Sequence, residues 1–209
     1  MKRAHHGDVA HFNRWAASYD RTPGQSLFAR VHRPVVDAVC AGSVPQRVVD
    51  VGCGTGRLLE ALLARLPGAE LVGVDPAEGM ISVARSRFAG EPHVRFEVAT
   101  ADHLPLDDGC ADVVTTTLSF HHWERQEASL REVARVLGPG GRLLIADIFG
   151  IGFVGRLLRP AAGRHGVGYR NAAELAGLLR DAGFSAWRRR SLFGPVVPVF
   201  LAEARRPQR

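Results

Sequence analysis

The amino-acid sequence predicts an α/β fold: a doubly wound, mostly parallel seven-stranded sheet with helices on both faces and N-terminal lid helices. Short β-branched runs alternate with stretches of helical periodicity from Arg47 onward. The run Val48–Val51 leads into a glycine loop, Gly52–Gly56, and then into a helical pattern. In the runs Val48–Val51 and Val113–Thr117, β-branched residues mostly follow one another instead of alternating with polar ones. This pattern is expected of strands that are buried on both faces.

Two helical patterns precede the sheet. In the first, Phe12, Trp15 and Tyr19 recur at helical spacing. The second pattern covers Leu27–Cys40. We expect residues 1–45 to form helices that cover the sheet as part of a lid.

Strands and helices alternate through the rest of the chain. The predicted parallel strands are Arg47–Val51, Leu71–Asp75, Val94–Ala99, Asp112–Leu118 and Arg142–Phe149. The helices between them are Leu58–Leu66, Glu78–Phe88 and Gln126–Leu137. A last helix, Asn171–Ala182, has Asn171 as its predicted N-cap. Two terminal strands form a hairpin across Gly194-Pro195, and they are Ser185–Leu192 and Val196–Ala204.

The segment Gly150–Arg170 is rich in glycine and is predicted to be a long loop with a short helix, Phe153–Arg159. Loops of this length in a compact domain are often functional. We therefore expect it to complete the lid together with the N-terminal helices.

Composition narrows the class of protein. The chain has 209 residues, which suffice for one α/β domain. Its three cysteines are odd in number and lack metal-type spacing, which fits a reducing compartment and argues against a disulfide framework. The start of the chain is polar, and the longest apolar stretch, Leu143–Val154, contains Asp147 and is too short to span a bilayer. We expect a cytoplasmic protein without a membrane span.

The chain is basic, with a formal net charge of +6. Its basic residues are scattered, and the densest cluster is only Arg188–Arg190. A nucleic-acid footprint would gather on one face of the protein. The distribution therefore argues against a nucleic-acid partner and favours a solvated, arginine-rich surface.

The glycine loop indicates the kind of ligand. A dinucleotide fingerprint, G-x-G-x-x-G, would place its third glycine at position 57, but the chain has Arg57 there and Gly56 before it. Asp50, just before the loop, would add negative charge beside a diphosphate and suits a cationic ligand better. Both features argue against a nicotinamide-dependent oxidoreductase.

Five motifs in order resemble those of the class I S-adenosylmethionine-dependent methyltransferases. Asp50–Gly56 is similar to the first motif of this family. The other four are Val72–Pro76, Leu104–Val114, Leu118–Trp123 and Leu137–Leu143. The subgroup that the motifs resemble holds the quinone C-methyltransferases and many small-molecule methyltransferases.

The resemblance implies a single methyltransferase domain over residues 1–209. Its parts would be lid helices in 1–45, a cofactor-binding core in 46–149, and a lid loop, helix and terminal hairpin in 150–209. It implies S-adenosylmethionine as cofactor, S-adenosylhomocysteine as product, and O- or C-methylation of a small-molecule acceptor. A non-catalytic cofactor-binding or regulatory protein and an RNA or protein methyltransferase stay open, and a homodimer is compatible with the sequence.

The same resemblance implies which residues hold the cofactor. Gly52, Cys53 and Gly54 would face its amino-acid part, with Asp50 near its ammonium group. The acid of the pair Asp75-Pro76 would accept hydrogen bonds from the ribose hydroxyls, or it could cap the following helix. Met80 would pack on the adenine, or belong to the core.

The adenine end departs from the family pattern. The usual Gly-Asp-Ala before the Leu-Pro pair is Ala99-Thr100-Ala101 here. Either Thr100 or Asp102 would then accept the hydrogen bond of the adenine amino group. The backbone amide of Ala101 would meet a ring nitrogen of the base.

The reaction centre would follow the fourth strand. Thr117 and Leu118 would flank the methionine part of the cofactor. His121 and His122 are the candidate catalytic residues, because histidine can take a proton from a hydroxyl or an acidic carbon near neutral pH. The alternative for the pair is structural, and no acidic residue stands at a spacing that would make them metal ligands.

Tyr19 and Asp20 resemble an N-terminal "YD" element of the family, in which the tyrosine helps to close the cofactor site. Aromatic faces also attract a sulfonium through cation–π interaction. Hydrophobic packing of the first helix is the alternative for Tyr19.

Overall fold

The computed structural model describes residues 5–22, 25–149, 170–193 and 197–208. The predicted loop and short helix within 150–169 and the hairpin turn at 194–196 lie outside these residues. Among the residues described, no helix combines the length and the apolar character that a membrane crossing requires.

The described part of the chain contains six α-helices, a short 3-10 helix at Phe120–His122 and seven strands. The helices are α1 (His5–Tyr19), α2 (Gln25–Val39), α3 (Arg57–Leu63), α4 (Glu78–Arg87), α5 (Gln126–Val136) and α6 (Ala172–Asp181). The strands are β1 (Arg47–Val51), β2 (Glu70–Asp75), β3 (Val94–Val98), β4 (Ala111–Thr117), β5 (Leu137–Ile148), β6 (Ala186–Phe193) and β7 (Val197–Arg205).

The seven strands form one sheet in the order β3-β2-β1-β4-β5-β7-β6. Strands β1 to β5 run parallel, while β7 is antiparallel to both β5 and β6. This confirms the predicted mostly parallel, seven-stranded architecture. The terminal hairpin therefore extends the sheet at one edge and leaves the C-terminal ends of β1, β2 and β4 uncovered by strands.

The alternation of side chains along each strand builds two cores. In β1, Val48 packs into the core beneath α2, α3 and α4, whereas Val49 and Val51 pack into the core beneath α5 and α6. All three side chains are essentially inaccessible to solvent. The sheet is thus buried on both faces, as its continuous apolar runs predict.

Some element boundaries differ from the prediction. Strand β5 begins at Leu137 rather than Arg142, because Leu137 pairs with Ala111 and an irregularity beside Ala111 lets the pairing continue. Gly140 in this stretch has a φ of +72°, a conformation that favours glycine. The N-cap of α6 is as predicted: Asn171 Oδ1 accepts hydrogen bonds from the amides of Ala173 and Glu174, and a full capping box forms.

Helix α1 lies against the start of α4. The amide of Gly79 donates to Asn13 Oδ1 at 2.7 Å, and a Cβ at position 79 would come within 2.9 Å of the Asn13 carbonyl oxygen. Helix α2 instead packs on the sheet through Val31, Val35 and Val39, which are fully buried. The two N-terminal helices are therefore attached in different ways, and α1 is the one outside the main cores.

We predict that Gly73→Ala destabilises the protein by about 1–3 kcal/mol, because the added methyl group overpacks the interior of β2. Its Cβ would lie 2.5 Å from Phe96 Cδ1 and 2.8 Å from Cys53 Sγ. The matched control is Gly177→Ala in α6, where the nearest atom is 3.9 Å away and the change should stabilise by about 0.5–1 kcal/mol. Urea unfolding of both variants checks the prediction, and equal stabilities would contradict it.

Candidate active site

The candidate site lies where the C-terminal ends of β1, β2 and β4 meet α1. A large cavity of about 720 Å³ opens there, and a middle cavity of about 110 Å³ and a small cavity of about 50 Å³ adjoin it. Gly52 lines all three. The chain order of the strands reverses between β1 and β4, and ligands of doubly wound sheets bind at such a switch point.

The glycine loop forms the floor of these cavities. Gly52 has a φ of +76°, and a Cβ on it would lie 1.8 Å from Ser119 Oγ, so only glycine fits. The amides of Gly52 and Cys53 donate to the Val74 carbonyl oxygen at 2.7 and 3.1 Å. The loop therefore presents a flat backbone surface to a ligand, with these two amides already bonded to β2.

Cys53 contributes its backbone to the floor of the small cavity, while its side chain turns inward. The thiol is buried, and its sulfur lies beside Gly73 of β2. Burial raises the pKa of the thiol, and the charges of Asp75 and Asp50 raise it further. The thiol is thus a packing group rather than a reactive one.

Asp50 lies at the small cavity and is fully buried. The hydroxyl of Thr115 donates to its Oδ1 at 2.8 Å. Burial raises the pKa of this carboxyl to about 7, and the negative charge of Asp75 contributes in the same direction. A cation bound beside Asp50 would remove this cost of burying its charge.

Asp75 borders the middle cavity and joins two parts of the site. Its Oδ2 accepts a hydrogen bond from the Gly54 amide at 2.9 Å, and its Oδ1 accepts one from the Ala77 amide at 2.8 Å. Burial raises the pKa of its carboxyl, and the two amide bonds oppose this rise. Asp75 therefore fixes the glycine loop and the start of α4 together, and Pro76 beside it lines both the large and the middle cavity.

Thr117 and Leu118 end β4 at the middle and small cavities. Leu118 has a φ of +51°, which is rare for a residue other than glycine, and its amide donates to the Ala146 carbonyl oxygen at 2.7 Å. The Thr117 hydroxyl is buried without a hydrogen-bond partner among the described residues. Strain and an unpaired buried hydroxyl both mark functional sites.

Thr100, Ala101 and Asp102 line the opposite end of the large cavity. Arg125 Nε donates to Asp102 Oδ2 at 2.6 Å, and the Asp102 carboxylate also accepts a bond from the Thr100 hydroxyl. Burial acts to raise the pKa of Asp102, but the bonds from Thr100 and Arg125 hold it below its usual value. Asp102 is thus an ionised, oriented acceptor, while the Thr100 hydroxyl is a donor to it.

His121 is held by an acid from the neighbouring strand. Its Nδ1 lies 2.6 Å from Asp147 Oδ1, and its backbone amide donates to Asp147 Oδ2 at 3.0 Å. Asp147 stands near the end of β5, where it is almost fully buried and also accepts the Ile148 amide. The arrangement favours the tautomer that carries its proton on Nδ1, so the lone pair is on Nε2.

His122 lies against His121, with ring centroids 4.1 Å apart, and is held by a different acid. Its Nδ1 is 3.4 Å from Asp8 Oδ2, and the ring of Phe12 meets it edge to face. Burial lowers the pKa of His122 to about 4, and the neighbouring His121 adds to this shift. His122 is therefore neutral at physiological pH.

Helix α1 supplies aromatic side chains to the wall of the site. Phe12 and Tyr19 line the middle cavity, and Tyr19 also lines the small one. Trp15 lies nearly parallel to Phe12 and meets the ring of Tyr19 edge to face. Met80 is buried beneath α1 with Ala16 and lines the middle cavity. Tyr19 and Met80 thus both border the site, as the sequence predicts, and both also pack in the interface under α1.

Asp20 ties the end of α1 to the glycine loop. The Thr55 hydroxyl donates to Asp20 Oδ1 at 2.8 Å, Arg57 lies 3.3 Å from the same oxygen, and Arg87 pairs with Oδ2. Burial opposes the effect of these bonds, but together they hold the pKa of Asp20 below its usual value.

The site residues that the sequence did not predict include three charged groups: Asp147, Asp8 and Arg125. A charged residue inside the otherwise apolar run of β5 was a usable signal for Asp147. Asp8 and Arg125 carry no such signal, because only the folded chain brings them to His122 and Asp102. Among the described residues, no group of three or more His, Cys, Asp or Glu side chains could hold a metal ion.

Comparison with known proteins gives this arrangement a context. Residues 49–145 match the sequence profile of a family described as "Methyltransferase domain". A demethylmenaquinone methyltransferase of Thermus thermophilus is 40% identical over 119 residues, which cover 56% of this chain and 54% of that protein. Methyltransferase GfsG of Streptomyces halstedii is 36% identical over 151 residues, which cover 71% of this chain and 54% of that protein. The chain spans about half the length of the curated relatives it matches.

A solved structure shares the fold over nearly the whole chain. The methyltransferase chain of the complex with the Haloferax volcanii Trm112 methyltransferase activator superposes with a TM-score of 0.81 at 22% identity. The match covers 94% of this chain and 97% of that one.

We predict that Asp50→Asn makes the stability of the ligand-free protein less sensitive to pH. An acid whose pKa rises on folding stabilises the protein fully below its unfolded pKa of 3.8, and this contribution is lost as the pH rises through about 7. The advantage of the variant over the wild type should therefore grow between about pH 4 and pH 7, by at most about 1.4 kcal/mol per unit.

Urea unfolding at about pH 5 and pH 8 measures this difference. The control is Asp107→Asn at an exposed position, whose stability should follow that of the wild type. If Asp50→Asn and Asp107→Asn showed the same pH dependence, the buried charge of Asp50 would not govern stability.

Proposed function

We propose that the chain is an S-adenosylmethionine-dependent methyltransferase and that it transfers the methyl group of this cofactor to a small-molecule acceptor, by O- or C-methylation. The match of residues 49–145 to a methyltransferase-domain profile supports this proposal. The observation that carries the proposal is the row of cavities along the strand ends. A buried acid, Asp50, lines the small cavity, and an oriented acceptor, Asp102, lines the large one. His122 borders the large and the middle cavity, and the buried His121, paired with Asp147, lies against it.

The polar groups around the cavities fit this cofactor. Asp50 is a buried carboxyl whose raised pKa calls for a cationic neighbour, which suits the ammonium of the amino-acid part. The unpaired Thr117 hydroxyl and the backbone of Gly52 and Gly54 would face the same part of the molecule. Asp75 would receive the ribose hydroxyls on lone pairs that its two amide bonds do not use.

Asp102 would recognise the adenine base of the cofactor. The Thr100 hydroxyl and the Arg125 guanidinium orient its carboxylate toward the large cavity that Ala101 and Pro76 also line. A carboxylate accepts hydrogen bonds, as the adenine amino group requires. Asp102 would therefore accept the hydrogen bond of the adenine amino group, a role that the family pattern gives to the residue at position 100.

When bound, the cofactor supplies an electrophilic methyl group on a sulfonium. The residues of this chain would orient the acceptor and take up its proton. His121 Nε2 would accept that proton from a hydroxyl or an acidic carbon, and Asp147 would stabilise the resulting imidazolium through Nδ1. Helix α1 would exclude water from the reacting groups, and holding them in line supplies much of the rate.

We also propose a cellular location for the protein. The free cysteines Cys40, Cys53 and Cys110 support a reducing, cytoplasmic location. A non-catalytic role has less support, because the His121–Asp147 pair is more elaborate than cofactor binding requires. A homodimer stays a prediction, which analytical ultracentrifugation of the purified chain would decide.

We expect the purified protein to bind S-adenosylhomocysteine with a dissociation constant on the order of micromolar, because this site has a hydrogen-bond acceptor for the ammonium, the ribose and the adenine of the ligand. Asp75→Ala should abolish binding, while Asp107→Asn at an exposed position should leave it unchanged. Calorimetric titration measures all three, with circular dichroism to show that each variant is folded. Absence of binding to the wild type would refute the proposal.

Asp102→Asn tests how the base is read. The wild type should bind S-adenosylhomocysteine at least about tenfold more tightly than its inosine analogue, which replaces the amino donor with a carbonyl. Asparagine can donate to that carbonyl, so the preference should shrink in the variant. An unchanged preference would show that Asp102 does not contact the amino group, even if the cofactor binds.

A further inference from the structure

The two adjacent histidines draw on acids from different parts of the molecule. His121 is paired with Asp147, which belongs to β5 and is 1% exposed within the sheet core. His122 is paired with Asp8, which belongs to α1. One histidine is therefore supported by the rigid sheet, and the other by a helix outside the main cores.

Helix α1 is held firmly at its middle and at its C-terminal end. Asn13 accepts the Gly79 amide at 2.7 Å, and Asp20 binds Thr55, Arg57 and Arg87. Nearer to its N-terminal end, Asp8 Oδ2 lies at the longer distance of 3.4 Å from His122 Nδ1.

The same helix covers the site. Val9, Ala10 and Asn13 line the large cavity, and Asp8 and Phe12 line the middle one. Because Asp8 lies on this part of α1, any displacement of the N-terminal end of the helix would carry the Asp8 carboxylate away from His122. Such lids commonly complete a catalytic arrangement when they close.

From this geometry we infer that Asp8 is a positioning residue for His122, and that it acts only while α1 covers the site. With α1 closed, the Nδ1–H of His122 donates to Asp8 and Nε2 carries the lone pair that faces the acceptor side. With α1 lifted, His122 loses this orientation, whereas His121 keeps Asp147. Both histidines beside the methyl acceptor would thus be oriented only when α1 covers the site. This role of Asp8 rests on the proposed function.

His122 is suited to this arrangement because it is neutral. A neutral imidazole has one N–H, and the hydrogen bond that this group makes decides which nitrogen carries the proton. Burial and the neighbouring His121 keep the His122 ring neutral, so Asp8 governs its tautomer rather than its charge. The contact with Phe12, also on α1, fixes the plane of the ring in the same closed position.

The tautomers can be read directly by nuclear magnetic resonance of the full chain labelled with ¹⁵N-histidine, without a known acceptor. Long-range ¹H–¹⁵N spectra separate the Nδ1–H and Nε2–H forms, and His121→Gln and His122→Gln assign the two rings. In the wild type with S-adenosylhomocysteine, both rings should be Nδ1-protonated. In Asp8→Ala, His122 should lose this form as its major state while His121 retains it.

Two variants separate positioning from packing. Asp8→Asn should keep the Nδ1–H form of His122, because the amide oxygen still accepts the hydrogen bond. Arg14→Ala, an exposed change on the same helix, should alter neither ring. A His122 tautomer that is the same in Asp8→Ala as in the wild type would overturn the inference. Calorimetry with S-adenosylhomocysteine on the same samples shows separately whether the proposed function holds.

Discussion

The carboxylate of Asp75 is the constraint on which the rest of the site depends. One oxygen holds the glycine loop at Gly54, and the other holds the chain at Ala77 just before α4. Both bonds are made in a buried place where an unpaired carboxylate would be costly. The loop after β1 and the helix after β2 therefore keep a fixed relation, and α1 in turn rests on the first turn of α4.

The fold could be predicted from the sequence, because it depends on local patterns, and the same patterns predict where the glycine loop lies; the cofactor contacts of that loop stay a prediction. Continuous apolar strands predict a sheet buried on both faces, and the glycine spacing predicts a loop without a diphosphate. The sequence did not predict which polar side chains of the site bind to each other. Asp8 reaches His122 across more than half of the chain, and no periodicity encodes such a contact. Thr100 and Asp102 were alternatives in the sequence, but in the structure they act together as donor and acceptor.

Gly52 shows how closely the two sides of the site are joined. Its missing side chain leaves room for Ser119, which begins the turn that carries both histidines. The residue before that turn, Leu118, adopts a conformation that most side chains avoid. The glycine loop and the turn with the two histidines are therefore in close contact, because the Ser119 side chain occupies the space that a side chain at position 52 would need.

The sheet ends in β6, an edge strand whose residues Arg188, Arg189 and Arg190 are exposed. Arg188 is anchored by Glu203, and Arg190 donates to the Pro34 carbonyl oxygen, so the charges are held along the edge. Edge strands offer unpaired backbone groups to other chains, and a row of like charges prevents two such edges from approaching. Among the described residues, the arginine cluster should therefore hinder a second edge of the same kind from approaching β6, and neutralising it should make edge-to-edge association easier.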